Sequence, residues 1–489
     1  MTEELAYLPA RRLLALYRSG KLSPVEVVGE SLARLETYEG ALNAFVLYDP
    51  KRALAMARAA EGRWRRGEPL GLLDGVPVAV KDTVLAAGWP RRLGSRITDP
   101  GAVEEDSPVV TRLRAAGAVL FGKTTTPEFG WKAVTDSPLT GVTRNPWNLE
   151  RTPGGSSGGS AAALAAGIAP LAVGTDGGGS IRAPASFCGV VGLKPTFGRV
   201  AFYPPALAGD LAHVGPMART VEDAALMLDA IKGPDPRDWS SLPDDKIDYR
   251  VAALEGGVEG KRIALSTTLG VAEPNPQVRA AIERAAAVFA GAGAIVEPAD
   301  PFGESAKGIY EALVLPGLAK FLRGQKAEAV ARMDPGLVAV CRRGEGVGFD
   351  AFLEADARRV ALGAALRAFF ERYDLLLSPT MPIPAAFADP RDDDLPNPNN
   401  FPDWMPYTPL FNLTKNPALS IPCGFADGLP IGLQIAGPLW GDLAVLQAGE
   451  AYEEAVGPAW PSGELHRSLS ALARAPDAAV KAKLWAAPS

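Results

Sequence analysis

Short apolar runs alternate with capped helical segments along this chain, and this alternation constrains its fold more than any other feature. The capping box Ser23-Pro24-Val25-Glu26, with proline at the first helical position, predicts a helix that reaches about Tyr38. Five apolar runs read as buried strands: Val76–Val80, Ala118–Phe121, Leu171–Val173, Arg262–Leu265 and Ile431–Ile435. Strands that alternate with helices in this way predict an α/β fold.

Composition and charge exclude several classes of protein. The chain has 489 residues, of which 47% are hydrophobic and 22% charged, as in globular proteins rather than disordered ones. Its net charge is −6 and no tract is rich in Lys and Arg, so no nucleic-acid partner is expected. The three cysteines, Cys188, Cys341 and Cys423, are scattered, which argues against a zinc site and against a disulfide framework.

The sequence carries no signal for a membrane or for secretion. The first residues lack the basic and apolar regions of a signal peptide. The most apolar region, 161–173, is interrupted by Gly167 and Pro170 and falls short of the roughly 18 uncharged residues of a membrane span. We therefore expect a soluble cytoplasmic protein.

Three successive glycines, Gly177, Gly178 and Gly179, stand directly before Ser180. In a tight turn, their N–H groups can point the same way and form a nest for an anion or a developing oxyanion. A short helix predicted over 181–187 would add its dipole. The alternative is a strand-to-helix turn that uses glycine for positive φ. A phosphate loop is disfavoured because the pattern GxxxxGK[ST] is absent.

A second glycine-flanked serine, Ser156, lies upstream. The stretch 154–158 matches GxSxG, the nucleophile elbow of α/β-hydrolases, which requires a histidine later in the chain. The chain has only His213 and His466, and neither stands in a catalytic context. A flexible Gly/Ser linker is the alternative, but the apolar run 161–166 predicts a packed helix immediately afterwards.

Lys81 ends the apolar run 76–80 and precedes Asp82. A lysine at the end of a buried strand is partly desolvated, which lowers its pKa and leaves a neutral amine able to act as a general base. The alternative is a lysine that extends to solvent or pairs with Asp82. Because histidine is scarce, this amine is the candidate base for chemistry at either serine.

Motifs over most of the chain carry a family resemblance. In order, they are Gly75–Asp82, Gly122–Thr124, Thr143–Trp147, Arg151–Ser160, Gly174–Arg182, Gly189–Pro195, Val214–Arg219 and Gly428–Gln434. Together they resemble the amidase signature family of Ser–cis-Ser–Lys hydrolases. The resemblance implies a single α/β domain over residues 1–489 with a large, mixed, twisted sheet flanked by helices on both faces. The core would span about 60–230 and 410–460, and a cap at the entrance about 300–410.

The resemblance also assigns roles in acyl transfer. Ser180 is the expected nucleophile, Ser156 the bridging serine after a cis peptide bond, and Lys81 the base. The oxyanion hole is expected from the N–H groups of Gly177, Gly178, Gly179 and Ser180. Supporting residues around the triad are expected to be Ser157, Thr175, Asp176 and Arg182. No metal or cofactor is implied.

The substrate is predicted from aromatic side chains. The candidate pocket residues are Phe129, Trp131, Phe202, Tyr203, Trp404 and Tyr407. They predict a hydrophobic or aryl amide as substrate, with carbamates and aryl esters as further candidates. We expect a monomer or homodimer that acts on a small-molecule amide or carbamate, without nucleic acid or membrane. Two alternatives stay open: the glutaminase-type subunit of an amidotransferase, and a non-catalytic metabolite-binding protein.

Overall fold

The computed structural model describes residues 4–303, 305–389 and 405–457, with Leu465, Ser468, Leu469, Lys483 and Trp485. The strands are β1 (Phe45–Tyr48), β2 (Pro77–Lys81), β3 (Val119–Thr124), β4 (Asp136–Ser137), β5 (Gly141–Val142), β6 (Leu171–Asp176), β7 (Val191–Lys194), β8 (His213–Ala218), β9 (Arg262–Leu265), β10 (Ile295–Pro298), β11 (Leu375–Pro379), β12 (Ala418–Ala426) and β13 (Leu429–Ala436). The helices are α1 (Ala10–Arg18), α2 (Pro24–Leu42), α3 (Pro50–Arg66), α4 (Pro108–Ala115), α5 (Gly158–Ala165), α6 (Arg182–Cys188), α7 (Val221–Ile231), α8 (Tyr249–Leu254), α9 (Pro276–Gly291), α10 (Lys307–Arg323), α11 (Ala327–Val330), α12 (Pro335–Arg343), α13 (Phe349–Phe370), α14 (Leu410–Leu413) and α15 (Asp442–Val456).

One large mixed sheet organises the molecule. It has eleven strands in the order β1-β3-β2-β6-β8-β7-β12-β13-β11-β9-β10, and β4 and β5 form a separate two-stranded sheet. Strand β2 runs parallel to both of its neighbours, β3 and β6, whereas β8, β7, β12 and β13 are joined by antiparallel pairs. The predicted single α/β domain with a mixed sheet is confirmed.

Both faces of the sheet are buried, as the continuous apolar runs in its strands require. Along β2, Val78 and Val80 pack into one core while Ala79 packs into the core on the opposite face. Along β6, Leu171 and Ala172 divide between the faces in the same way. Side chains alternate across a strand, so each face receives its own layer of helices.

Helix starts follow the local sequence signals closely. Ser23 accepts a hydrogen bond from the N–H of Val25 and, with Glu26, completes the predicted capping box of α2. That helix continues to Leu42, four residues beyond the expected end, and then closes on Asn43 with a left-handed backbone, φ 51°. Capping chemistry therefore located the start of this helix more accurately than its end.

Helices α10 to α13 form a third apolar core with β11 and α14. The stretch 233–259 packs onto the domain through the buried Tyr249 of α8. Among the residues described here, no helix is both long enough and apolar enough to cross a bilayer.

Candidate active site

Two parallel strands bring the candidate base to one end of the sheet. Lys81 is the last residue of β2, and Thr175 and Asp176 are the last two of β6. These strands are direct neighbours in register, with Val80 opposite Val173. Because the carboxyl ends of adjacent parallel strands meet at one edge, Lys81 lies beside the loop that carries Ser180.

Ser156 approaches the same edge from a tightly packed turn before α5. The peptide bond between Gly155 and Ser156 is cis, as the family resemblance implied. A Cβ atom at position 155 would lie 2.8 Å from the backbone of Ala133 and Val134, so only glycine fits there. Every residue of α5 is buried, which rules out a flexible linker at this stretch.

Lys81 is fully buried, and its amine is surrounded by hydroxyl groups. The Nζ atom lies 2.7 Å from Ser156 Oγ, 2.9 Å from Ser157 Oγ and 2.9 Å from Thr175 Oγ1. Burial lowers the pKa of Lys81 well below its ordinary value, although the charge of Asp176 opposes the shift. A neutral amine in this position can accept the proton of the Ser156 hydroxyl and so act as a general base.

Ser180 follows the glycine turn and reaches the same cavity as Ser156. The two serine segments are joined by the N–H of Ser157, which donates to the Ser180 carbonyl at 3.1 Å. Within the described segments, no hydrogen bond joins the Ser180 hydroxyl to Ser156, so proton transfer between them requires the hydroxyls to turn toward each other. Catalytic hydrogen bonds are often formed only once substrate is bound.

The glycine nest is held from below by Asp176. Its carboxylate accepts the N–H of Gly179 at 2.7 Å and that of Ile181 at 3.1 Å. The prediction that Gly179 contributes to the oxyanion hole is wrong, because its N–H is already taken. In the described part of the chain, no protein acceptor takes the N–H groups of Gly177, Gly178 or Ser180, and these stay predicted donors.

Asp176 is itself fixed by Arg182, and both side chains are fully buried. The guanidinium donates to the two carboxylate oxygens from Nε and Nη2, each at 3.0 Å. Burial alone would raise the pKa of Asp176, but the charge and hydrogen bonds of Arg182 hold that pKa below its ordinary value. Asn412 also donates to this carboxylate at 2.9 Å.

A cavity of about 250 Å³ opens over the two serines. Of the predicted pocket residues, Phe129, Trp131 and Phe202 line it. Tyr203 and Tyr407 are not among the lining residues, contrary to prediction. Tyr203 packs against Arg237, while Tyr407 is fully buried and donates its hydroxyl to the Ala272 carbonyl at 2.7 Å. Trp404 lies outside the described residues.

Several lining residues were missed by the sequence analysis. Successive turns of α10 line the cavity with the side chains of Tyr310, Val314, Leu318 and Phe321. The ring centroid of Phe321 lies 4.7 Å from that of Phe129. Their helical spacing was visible in the sequence, but nothing local indicated which surface the helix covers. Arg91 also lines the cavity, ten residues after Lys81 in a loop without regular structure.

The histidines take no part in this cavity as far as it is described. His213 is buried behind the glycine turn, where its Nδ1 lies 2.8 Å from the Leu211 carbonyl, and burial lowers its pKa well below the ordinary value. His466 falls outside the described residues. Within those residues, no cluster of three or more His, Cys, Asp or Glu side chains is arranged to hold a metal ion.

Comparison with known proteins identifies the family. The family model described as Amidase matches residues 26–446. The chain belongs to the amidase signature family. A glutamyl-tRNA(Gln) amidotransferase subunit from Chloroflexus aggregans is 38% identical over 92% of this chain and 96% of its own length. A solved bacterial aryl acylamidase superposes with a TM-score of 0.85 at 33% identity, covering 95% of this chain and 98% of its own. The solved glutamyl-tRNA(Gln) amidotransferase subunit from Thermotoga maritima superposes with a TM-score of 0.78 at 28% sequence identity, covering 98% of this chain and 99% of its own.

These relatives correct the predicted activity. The expectation of a stand-alone hydrolase for hydrophobic or aryl amides, carbamates and aryl esters is wrong, because relatives at 38% identity over nearly the whole chain are amidotransferase subunits. The expectation of a monomer or homodimer that acts on small molecules without nucleic acid is wrong for the same reason. The aromatic residues misled the substrate prediction even though Phe129, Trp131 and Phe202 do line the cavity, so an aromatic lining does not by itself identify an aryl amide as the substrate.

Proposed function

We propose that this amidase signature enzyme is the glutaminase-type subunit of an amidotransferase, releasing ammonia from glutamine for transfer to a second substrate. The observation that carries the proposal is the 38% identity to a glutamyl-tRNA(Gln) amidotransferase subunit over 92% of the chain. The cavity of about 250 Å³ over the two serines has room for a small amide substrate. A compact primary amide suits that volume.

The proposed reaction begins at Ser180. Its Oγ attacks the side-chain amide carbon of glutamine, and its proton passes through the Ser156 hydroxyl to the neutral amine of Lys81. The N–H groups of Gly177, Gly178 and Ser180 stabilise the oxyanion; loss of one such donor typically costs about 10²–10³ in rate.

The C–N bond then breaks as Lys81 returns the proton through Ser156 to the leaving nitrogen, giving ammonia and a γ-glutamyl ester on Ser180. An amine leaves poorly without that proton, so the same relay serves as base and then as acid. Water, deprotonated by the same path, hydrolyses the ester to glutamate and regenerates the serine.

The relatives are named as one subunit of an assembly that acts on glutamyl-tRNA(Gln). By extension, we propose that this chain works beside other subunits and supplies ammonia for a tRNA-linked glutamate. A cytoplasmic location belongs to the same proposal, because aminoacyl-tRNA is used there.

The test uses the tagged chain purified from its native source with whatever subunits accompany it. Glutamine and glutamyl-tRNA(Gln) are added, and free ammonia and glutaminyl-tRNA are measured, with the Ser180→Ala chain as control. We expect glutamine-dependent glutaminyl-tRNA that the control does not form. Hydrolysis of an anilide without any use of glutamine would contradict the proposal.

A further inference from the structure

The charged groups that line the cavity differ in whether an opposite charge pairs with them. Among the residues that the structure describes, two charged ones line it, Arg91 and Asp176. The Asp176 carboxylate is neutralised by Arg182, which contacts both of its oxygens at 3.0 Å. The cavity lining that the structure describes therefore carries a positive charge at Arg91 and no free negative charge.

The guanidinium of Arg91 uses only one of its nitrogens in a hydrogen bond to the described residues. Its Nε donates to the Thr83 carbonyl at 2.8 Å. Among the residues with described positions, no carboxylate forms an ion pair with Arg91 and no acceptor takes its two terminal nitrogens. Arg91 is half-buried and lines the substrate cavity, so its terminal nitrogens are available to bind a group that enters there.

Asp82 is the acidic group whose charge acts on Arg91. It raises the pKa of the guanidinium, against the larger lowering caused by burial. Its own carboxylate is fully buried, lies 3.4 Å from Lys123 Nζ, and accepts the N–H of Arg92 at 3.3 Å. Asp82 thus helps to keep Arg91 charged without occupying its terminal nitrogens.

We propose that Arg91 binds a carboxylate group of the amide substrate and so determines specificity for acidic amides. A guanidinium presents two parallel donors that match the two oxygens of a carboxylate, and such charge-assisted pairs are about twice as strong as neutral ones. If the substrate is glutamine, the bound group is its α-carboxylate; to that extent the inference rests on the proposed function and deepens it.

The test compares two amides that share a chain and differ at its far end. Glutaramate carries a carboxylate there and pentanamide a methyl group. Each is measured as a competitor that protects Ser180 from a fluorophosphonate probe, which needs neither tRNA nor other protein chains. Hydrogen bonds to charged groups contribute about 1.5–3 kcal/mol, so we expect glutaramate to protect at about 10- to 100-fold lower concentration.

The variants assign the preference to one side chain. Arg91→Met is expected to make the two amides protect equally, and Arg91→Lys to restore part of the preference. Arg92→Met is the matched control, because the neighbouring Arg92 is also half-buried but does not line the cavity, its Nε instead donating to Thr98 Oγ1 at 3.3 Å. The probe's rate without competitor checks that the loop around Ser180 is intact in each variant.

Equal protection by both amides in the unmodified protein, or a preference that survives Arg91→Met, would overturn the inference. The outcome is separable from the proposed function. An Arg91-dependent preference in a protein that never uses glutamine would refute the function and leave the carboxylate site standing. Use of glutamine without any carboxylate preference would support the proposed function and refute the carboxylate site.

Discussion

Substitution of Lys81 by methionine removes the proposed base while keeping a side chain of similar length in a fully buried position. Ser157, which loses one neighbour, still donates to the Thr175 carbonyl at 3.1 Å and accepts the Thr175 N–H at 3.2 Å, so the surrounding turn keeps its hydrogen bonds. Ser156 loses the acceptor 2.7 Å away that would take its proton. The expected loss is that of a general base, about 10²–10⁴ in rate, or about 3–5 kcal/mol.

The assay is the rate at which a fluorophosphonate labels Ser180 as a function of pH. Only the neutral amine accepts a proton, so labelling of the unmodified protein rises with pH through the pKa of Lys81. Because burial lowers that pKa, the rise lies well below the ordinary lysine value. The methionine variant should label slowly and without this rise. A variant that labels at nearly the normal rate, or keeps the same pH dependence, would refute Lys81 as the base.

Three further substitutions probe the supports of the site. Asp176→Asn leaves Arg182 buried without its counter-charge and should lower the free energy of urea unfolding by about 3–5 kcal/mol. Because the pKa of Asp176 is held low, the pair stabilises the protein above about pH 4 and this stabilisation disappears on acidification. An unchanged unfolding midpoint in the variant would contradict the pairing. Gly179→Ala places a Cβ 2.2 Å from Thr408 Oγ1 at φ +135°, so probe labelling should collapse, and normal labelling would show that the turn can adapt. Ser23→Ala removes the α2 cap and should cost about 1 kcal/mol with labelling unchanged; a loss of labelling would mean that this distant helix governs the site.

The parts of this protein that local chemistry determines were predictable from the sequence. The cap of α2 and the strand Arg262–Leu265 lie where capping residues and an apolar run place them. The order of motifs, rather than any one of them, indicated the family. Lys81 Nζ lies 2.7 Å from Ser156 Oγ, and the catalytic roles of Lys81, Ser156 and Ser180 stay predictions.

The composition of the cavity depended on packing that no local pattern encodes. Tyr407 resembled a pocket residue but is fully buried, and its hydroxyl donates to the Ala272 carbonyl. Gly179 was one of four equivalent donors in the sequence, and only the position of Asp176 removes it from the set. The sequence did not indicate a role for Arg91, because that role depends on which carboxylates lie close to its guanidinium in the folded protein.

In the proposed mechanism, Ser180, relayed through Ser156 to Lys81, cleaves the side-chain amide of glutamine. The most direct test is to incubate the natively assembled protein with glutamine, quench it in acid, and locate acyl adducts by peptide mass spectrometry. We expect a γ-glutamyl ester on Ser180 that is absent from Ser180→Ala. Ammonia release with the acyl group on another residue, or with the Ser180→Ala chain still active, would contradict it.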